Sequence, residues 1–276
     1  RQEVKDALAF LRLVVNPHDA ASFVRILNRF GRGIGPGTIR KISHESYRRA
    51  GIRITDYLDE DARRTGDPFA VLVEAFEAED IVVFDVEATG VDPTRDEIIQ
   101  IAGLRLGRDG KAKAEFKRLL KARRSVGDSY KVHKISDALL QQEGQEPEEV
   151  LREFCAFAAG SVIVGHNVTY DLSILGSELA RLGLPPLAYR RYYDTLDIFR
   201  RFYPNLPNHK LEYLGEFCHV SHRSTHDAMD DVCATAEILV YAIEKDIRPH
   251  ARERKEFMEK WQDVFNELAG HISSIR

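Results

Sequence analysis

The chain has 276 residues, of which 43% are hydrophobic and 30% charged, with a formal net charge of −4. This composition excludes a disordered chain, and no apolar run approaches the roughly 18 residues of a membrane span. A mildly acidic total also excludes general electrostatic capture of a polyanion, so any nucleic-acid binding must rest on local basic patches.

The chain opens at Arg1 already in a helical pattern, with neither an initiator Met nor a signal sequence, and reads as a fragment of a longer protein. Val4, Leu8, Leu11 and Val15 recur at helical spacing and predict a first helix, which Asn16-Pro17 stops. Phe23, Ile26, Leu27 and Phe30 predict a second. The stretch Gly31-Arg32-Gly33-Ile34-Gly35-Pro36-Gly37 is too glycine-rich for regular structure and leads into a helix carrying Arg40 and Lys41. Short helices broken at Gly51 and Gly66-Asp67-Pro68 continue to about Glu79.

At Ile81 the texture turns to β, with the β-branched and aromatic run Ile81-Val82-Val83-Phe84 followed by the turn signal Thr89-Gly90. A second strand is expected from Ile98 to Leu106, and Asp109-Gly110 turns the chain into a third around Phe116 to Leu120. Helices near Ser136 to Gln141 and Pro147 to Ala159 precede a fourth strand, Val162-Ile163-Val164. The turn Gly165-His166-Asn167 opens a long helix through Leu182, and helices over Thr195 to Phe202, Leu211 to Phe217 and Ala228 to Glu244 follow. Beyond Arg248-Pro249, Phe257, Trp261, Val264, Phe265 and Leu268 predict one amphipathic helix. The expected fold class is α/β, a mixed β-sheet flanked by helices, with an all-α accessory region built from both ends of the chain. The expected divisions are 1–78, 79–245 and 246–276.

Cys155, Cys218 and Cys233, the three cysteines, are widely spaced and lack a Cys-x-x-Cys pair. They point to a reducing cytoplasm, with neither a disulfide framework nor a thiolate zinc site.

Carboxylates occur where apolar residues should be. Alternation puts Asp85 and Glu87 in one row with Ile81 and Val83, so two acids leave one strand end together. Taken alone, this is either a harmless solvent-facing strand end or half of a site. Asp171 lies on or beside the stripe of Val168, Leu172, Leu175 and Leu179. A buried ionised carboxylate needs a cation, donors or a raised pKa, so Asp171 is either a ligand or a satisfied acid bonding loop amides. On the phase of Ala228, Val232, Thr235, Leu239 and Ile243, Asp231 borders the buried stripe, whereas Asp230 faces outward. Asp227 reads as a helix N-cap, with His226 leaning over the helix start. Four acids from three separated elements converge only if cations offset their repulsion; oxygen donors suit Mg²⁺ or Mn²⁺ and not zinc. An adjacent His is placed to take a proton from an attacking water, and the implied reaction is phosphodiester hydrolysis.

The segments Phe84-Asp85-Val86-Glu87-Ala88-Thr89-Gly90, Gly165-His166-Asn167-Val168-Thr169-Tyr170-Asp171-Leu172 and His226-Asp227-Ala228-Met229-Asp230-Asp231 resemble, in order, the three exonuclease motifs of the DnaQ-like family, which includes the proofreading epsilon subunit. Val132-His133-Lys134-Ile135-Ser136 and Asn208-His209-Lys210-Leu211 are further family-like features, although many relatives carry Gly where Lys134 stands. The resemblance implies an RNase H-like fold and a 3′→5′ exonuclease that uses two divalent cations and releases nucleoside 5′-monophosphates. It makes Asp85, Glu87, Asp171 and Asp231 metal ligands and His226 the general base, the DEDDh pattern. Thr89 would contact the terminal nucleotide and Asn167 the substrate backbone or a ligand-orienting network; a turn residue and a helix cap are the respective alternatives. Asp194 reads as an N-cap, and His166 and His209 as structural.

The flanks, Arg1 to Leu13 and Asn28 to Thr38, are similar to the start of the 2B subdomain of UvrD/Rep-like superfamily-one DNA helicases. On that resemblance the nuclease is an insertion in the subdomain and the last helix returns to it. Gly33-Ile34-Gly35 before a basic helix also resembles a helix-hairpin-helix element, with Gly33, Gly35 and Lys41 at a DNA backbone, or else is a plain glycine-rich connection. No Gly-Lys-Ser/Thr motif occurs, so the chain should not hydrolyse ATP. Lys111, Lys113, Lys117, Arg118, Lys121, Arg123 and Arg124 form the strongest basic run, either a solvated strand face or a phosphate guide.

The reading is thus a cytoplasmic, bacterial, nucleoid-associated DNA 3′→5′ exonuclease whose partners are DNA and the remaining helicase domains, with no membrane. An exoribonuclease of the same fold and a non-catalytic DNA-binding module are the alternatives.

Overall fold

The computed structural model describes residues 1–16, 18–30 and 34–275, except the side chains of 264 and 267–275. Gly33 therefore lies outside the described residues. The first helices are α1 (Gln2–Val15), α2 (Ala20–Phe30), α3 (Pro36–Ile42), α4 (Glu45–Arg49), α5 (Glu60–Thr65) and α6 (Ala70–Glu77). Strands β1 (Ile81–Ala88), β2 (Ile98–Leu106) and β3 (Ala112–Leu119) follow, then α7 (Tyr130–His133), α8 (Asp137–Glu143) and α9 (Pro147–Ala158). The chain continues with β4 (Val162–Gly165), α10 (Val168–Arg181), β5 (Arg191–Asp194), α11 (Thr195–Phe202), α12 (Leu211–Cys218), α13 (Ala228–Ala242) and α14 (Ala251–Ile275). No helix among the described residues is long and apolar enough to cross a membrane.

Two compact units result: residues 1–73, 201–204 and 243–276 form one, and residues 74–200 and 205–242 the other. The first is all helical and joins both ends of the chain. Phe23, Ile26, Tyr57 and Phe265 are fully buried together, and the Tyr57 and Phe265 rings stack with centroids 4.3 Å apart. Arg254 is completely buried, its guanidinium bonded to Asp67 at 2.8 and 2.9 Å and to the carbonyls of Ala50 and Ile247, so the buried charge is fully partnered.

Helix α1 differs from its expected face. It buries Asp6, Ala9 and Leu13, while Val4, Leu8, Leu11 and Val15 are 55%, 47%, 59% and 86% exposed. The reason is electrostatic as well as steric: Asp6 takes Arg25 at 2.7 Å and Arg29 at 3.3 Å, which turns the polar edge of the helix towards α2. In α3, Gly35 occupies the N-cap with an ordinary extended φ of −94°, and a Cβ there would meet open space. Nothing local demands glycine at this position.

The second unit is a mixed α/β structure, with helices flanking a five-stranded sheet of order β3-β2-β1-β4-β5. β1 pairs antiparallel with β2 and parallel with β4; β2–β3 is antiparallel and β4–β5 parallel. The even residues Val82, Phe84, Val86 and Ala88 of β1 enter a core with Phe154, Ile174 and Leu175. β3 begins at Ala112, earlier than its only well-buried residue, Phe116, would indicate. β5 is absent from the expected elements: its four residues, two of them charged, carry too little apolar pattern, and parallel pairing with β4 supplies the ordering.

Lys134 ends α7 in the left-handed region at φ +59°, where a side chain costs about 1–2 kcal/mol and glycine costs nothing. Lys134→Gly is therefore expected to stabilise this unit by about 0.5–1 kcal/mol after the extra unfolded-state entropy is subtracted. Chemical denaturation of the two proteins side by side measures it, and a loss of stability would contradict it.

Candidate active site

Because the even residues of β1 fill the core, the odd residues Asp85 and Glu87 emerge on the other face. There α13 packs across β1 and β2 and brings Asp231, and α10 brings Asp171 from the side. All four carboxylates and His226 line one cavity of about 940 Å³, within the second unit. Asn167, His166, His209, Tyr170, Arg200, Lys210 and Glu212 line it too.

Backbone and side-chain hydrogen bonds, most of them between residues far apart in the chain, position these acids and the start of α13. The Val86 amide donates to Asp171 Oδ1 at 3.2 Å, so Asp171 both latches α10 to β1 and faces the cavity. The Thr225 amide donates to Asp231 Oδ1 at 3.1 Å. Gln100 on β2, itself buried, accepts from the Ala228 amide at 2.9 Å and donates to Asp227 at 3.2 Å, pinning the start of α13. Asp227 also accepts from the Met229 amide and pairs with Lys117 at 2.7 Å. Its burial alone would raise its pKa, but the Lys117 hydrogen bond and charge, together with the bonds from Gln100 and the Met229 amide, outweigh that and lower it.

Burial raises all four acids, and repulsion from neighbouring carboxylates adds to it at Asp85, Glu87 and Asp171. Burial, then the charges of Asp231 and Asp171, push Glu87 from an ordinary 4.5 up to about 8. Asp171 also reaches about 8, burial outweighing the amides that bond it. Asp85 rises well above the usual range, from burial first and then from Asp171 and Asp231. Although Asp85 is open to the cavity, dense protein surrounds it on the other sides. Asp231 is raised by burial.

His226 sits in the left-handed region at φ +59°, which swings its half-exposed imidazole over the start of α13. Ligand atoms of Glu87, His226 and Asp231 all lie within 4.8 Å of one another. Two carboxylates with an imidazole widen the range of metals these donors fit beyond the ions of an all-oxygen set.

Other expected residues are placed differently. The Thr89 hydroxyl donates to Asp96 at 3.1 Å and accepts from the Glu97 amide at 3.0 Å, holding the loop after β1, and it does not line the cavity. Asn167 lines it from the N-cap of α10, at φ +63° and with no side-chain cap bond. Asp194 accepts from the amides of both Leu196 and Asn167, so it caps α11 and fixes the Asn167 turn. His166, held by Thr195 at 2.9 Å, is buried enough that its pKa falls to about 4. Gly35 and Lys41 belong to the first unit, with no part in this cavity. The basic run is largely neutralised: Lys113 pairs with Glu79, Lys117 with Asp227, Arg118 with Glu153, Lys121 with Glu146 and Arg123 with Glu97.

Glu87 binds a proton more tightly folded than unfolded, so between pH about 4.5 and about 8 the native state holds more protons and its stability falls as pH rises. In EDTA, Glu87→Gln should therefore gain in melting temperature relative to the wild type across this window and level off above it. A pH-independent difference would contradict the shift.

The model of the UvrD-like helicase C-terminal domain matches residues 1–276. DNA polymerase III PolC-type of Caldanaerobacter subterraneus is 34% identical over 166 residues, 60% of this chain and 12% of that protein. The same polymerase of Clostridium perfringens is 32% identical over 174 residues, 62% and 12% of the two chains. The chain thus spans about 12% of the length of these curated relatives. Among solved structures, Escherichia coli exonuclease I with single-stranded DNA has a TM-score of 0.57 at 21% identity, covering 62% of this chain and 42% of that one. This likeness extends to the fold.

Proposed function

The chain belongs to the UvrD-like helicase C-terminal domain family, and we propose that residues 79–245 within it form a metal-dependent 3′→5′ DNA exonuclease. The observation that carries this reading is the convergence of Asp85, Glu87, Asp171 and Asp231 with His226 on one cavity. Four acids held together carry a cost of burial and repulsion that bound cations would offset, which supports a metal-binding role for the cluster. Family membership among helicase domains and likeness to a DNA polymerase favour DNA as the substrate and the rest of a helicase chain as the partner.

Asp85, Glu87, Asp171 and Asp231 would hold two divalent cations, Mg²⁺ or Mn²⁺. Bound there, the ions supply positive charge to the phosphate oxygens and to the departing 3′ oxygen. His226 takes the proton of the attacking water. The water oxygen bonds to phosphorus, the bond from phosphorus to the 3′ oxygen of the preceding nucleotide breaks, that oxygen takes a proton from solvent water to become the new 3′-hydroxyl, and a nucleoside 5′-monophosphate leaves. Asn167 orients the backbone of the terminal nucleotide.

The test is this chain with Mg²⁺ or Mn²⁺ and 5′-labelled DNA and RNA strands. A ladder shortening from the 3′ end of DNA is expected. Cleavage of RNA alone would favour the exoribonuclease, and cleavage of neither strand with either metal would overturn the enzyme reading.

A further inference from the structure

A strand threaded into this cavity brings more than one phosphate. In the proposed nuclease, the acids and their ions take the scissile phosphate. A neighbouring phosphate finds no counter-charge there and is repelled by any carboxylate left uncompensated. The lysines and arginines of β3 and of the segment just after it are largely paired with Glu79, Asp227, Glu153, Glu146 and Glu97.

Arg200 and Lys210 are different. Both line the cavity, both are exposed, and neither is in an ion pair among the described residues. Arg200 lies towards the end of α11, and its charge acts on Asp194 and His166, next to the turn that carries Asn167. Lys210 occupies the N-cap of α12 and makes no side-chain cap bond. A cation at that end of a helix opposes the helix dipole, and a bound anion would offset the conflict. The cavity, at about 940 Å³, is at the upper end of the roughly 300–1,000 Å³ common for small-ligand pockets. It has room for a terminal nucleotide and the linkage beyond it.

Resting on the nuclease reading, we propose that Arg200 and Lys210 grip the phosphodiester adjoining the scissile one, so that the cavity prefers a polynucleotide strand to an isolated nucleotide ester. They act in binding and leave the bond-breaking step to the acids and His226. Each is then a specificity determinant of the site.

The test compares wild type, the double variant Arg200→Ala/Lys210→Ala, and Lys210→Arg. The substrates are a single-stranded oligonucleotide and the p-nitrophenyl ester of thymidine 5′-monophosphate, which has no adjoining phosphate. For the oligonucleotide, the double variant should raise KM about 10- to 100-fold, as expected for loss of charge-assisted phosphate contacts, at unchanged kcat. Hydrolysis of the ester should stay within about twofold of wild type, and Lys210→Arg should keep most of the affinity for the oligonucleotide, since it retains a cation able to bind phosphate. Anisotropy of a labelled strand in Ca²⁺ gives Kd without turnover. There the double variant should also bind more weakly, with a salt slope shallower by about 0.7 per lost phosphate contact. Equal losses on both substrates, an unchanged Kd, or a wild type that binds no strand would overturn the assignment. A wild type that binds the strand yet cuts neither substrate would instead defeat the nuclease reading, while the Kd comparison still decides the role of the two cations.

Discussion

Asp85→Asn is expected to lower turnover by about 10³-fold or more while raising the melting temperature of the metal-free protein. The loss follows from the ligand role: several kcal/mol of charge stabilisation at the phosphate depend on correctly held ions, and each 1.4 kcal/mol is about tenfold in rate. The gain follows from the acids themselves. Asp85 is raised above the carboxylate range by burial and then by Asp171, Asp231 and Glu87, so near neutral pH folding of the metal-free site must protonate an acid that is ionised in the unfolded chain, a cost that a neutral side chain avoids. Asparagine has the same shape and removes the charge. Each kcal/mol relieved moves the midpoint of a domain of this size by about 2–4 °C. The two readouts separate a functional acid from a structural one, because a structural acid would lose stability when neutralised. A variant that cleaves at the wild-type rate, or that melts earlier in EDTA, would remove Asp85 from the proposed site.

Legibility in the sequence tracks the range of the forces involved. Asp85 and Glu87 can be assigned to one face because strand alternation is local, and the phase of α13 separates Asp231 from Asp230 for the same reason. Much of the mixed sheet with flanking helices is equally local in origin, since β1, β2, α10 and α13 carry their own apolar patterns, whereas β3 does so only at Phe116. β5 is not legible, because four residues rich in charge are strand only through their parallel neighbour. The apolar residues of α1 correctly mark a helix but not its buried face, which the Asp6 pairs with Arg25 and Arg29 decide. Within the site, Gln100 is the clearest omission. A glutamine in the apolar run of β2 gives no signal until α13, more than a hundred residues later, sets its first amide against it. The ion pairs of the basic run are hidden for a similar reason, since its partners Asp227, Glu153 and Glu97 lie outside it.

His226→Gly is expected to reduce kcat by about 10²–10⁴-fold, the usual contribution of a positioned acid or base, with KM for DNA little changed. Glycine is the substitution of choice because His226 lies at φ +59°, where removing the side chain relieves strain instead of adding it, so the turn into α13 should survive. The geometry offers the imidazole two roles. Its ring lies with Glu87 and Asp231 inside a 4.8 Å cluster, as a ligand would, and it is half-exposed beside the cavity, as a base would be. The roles make opposite forecasts. A lost ligand raises the Mn²⁺ concentration needed for half-maximal activity and weakens Mn²⁺-induced stabilisation. A lost base leaves both nearly unchanged and opens space into which free imidazole can enter, restoring part of the rate. The base reading predicts that rescue, because the open cavity admits a small molecule and Asp231 keeps its Thr225 amide without help from the ring. If added imidazole has no effect and the Mn²⁺ requirement rises instead, His226 belongs with Glu87 and Asp231 as a metal ligand, and the base must be sought elsewhere in the cavity.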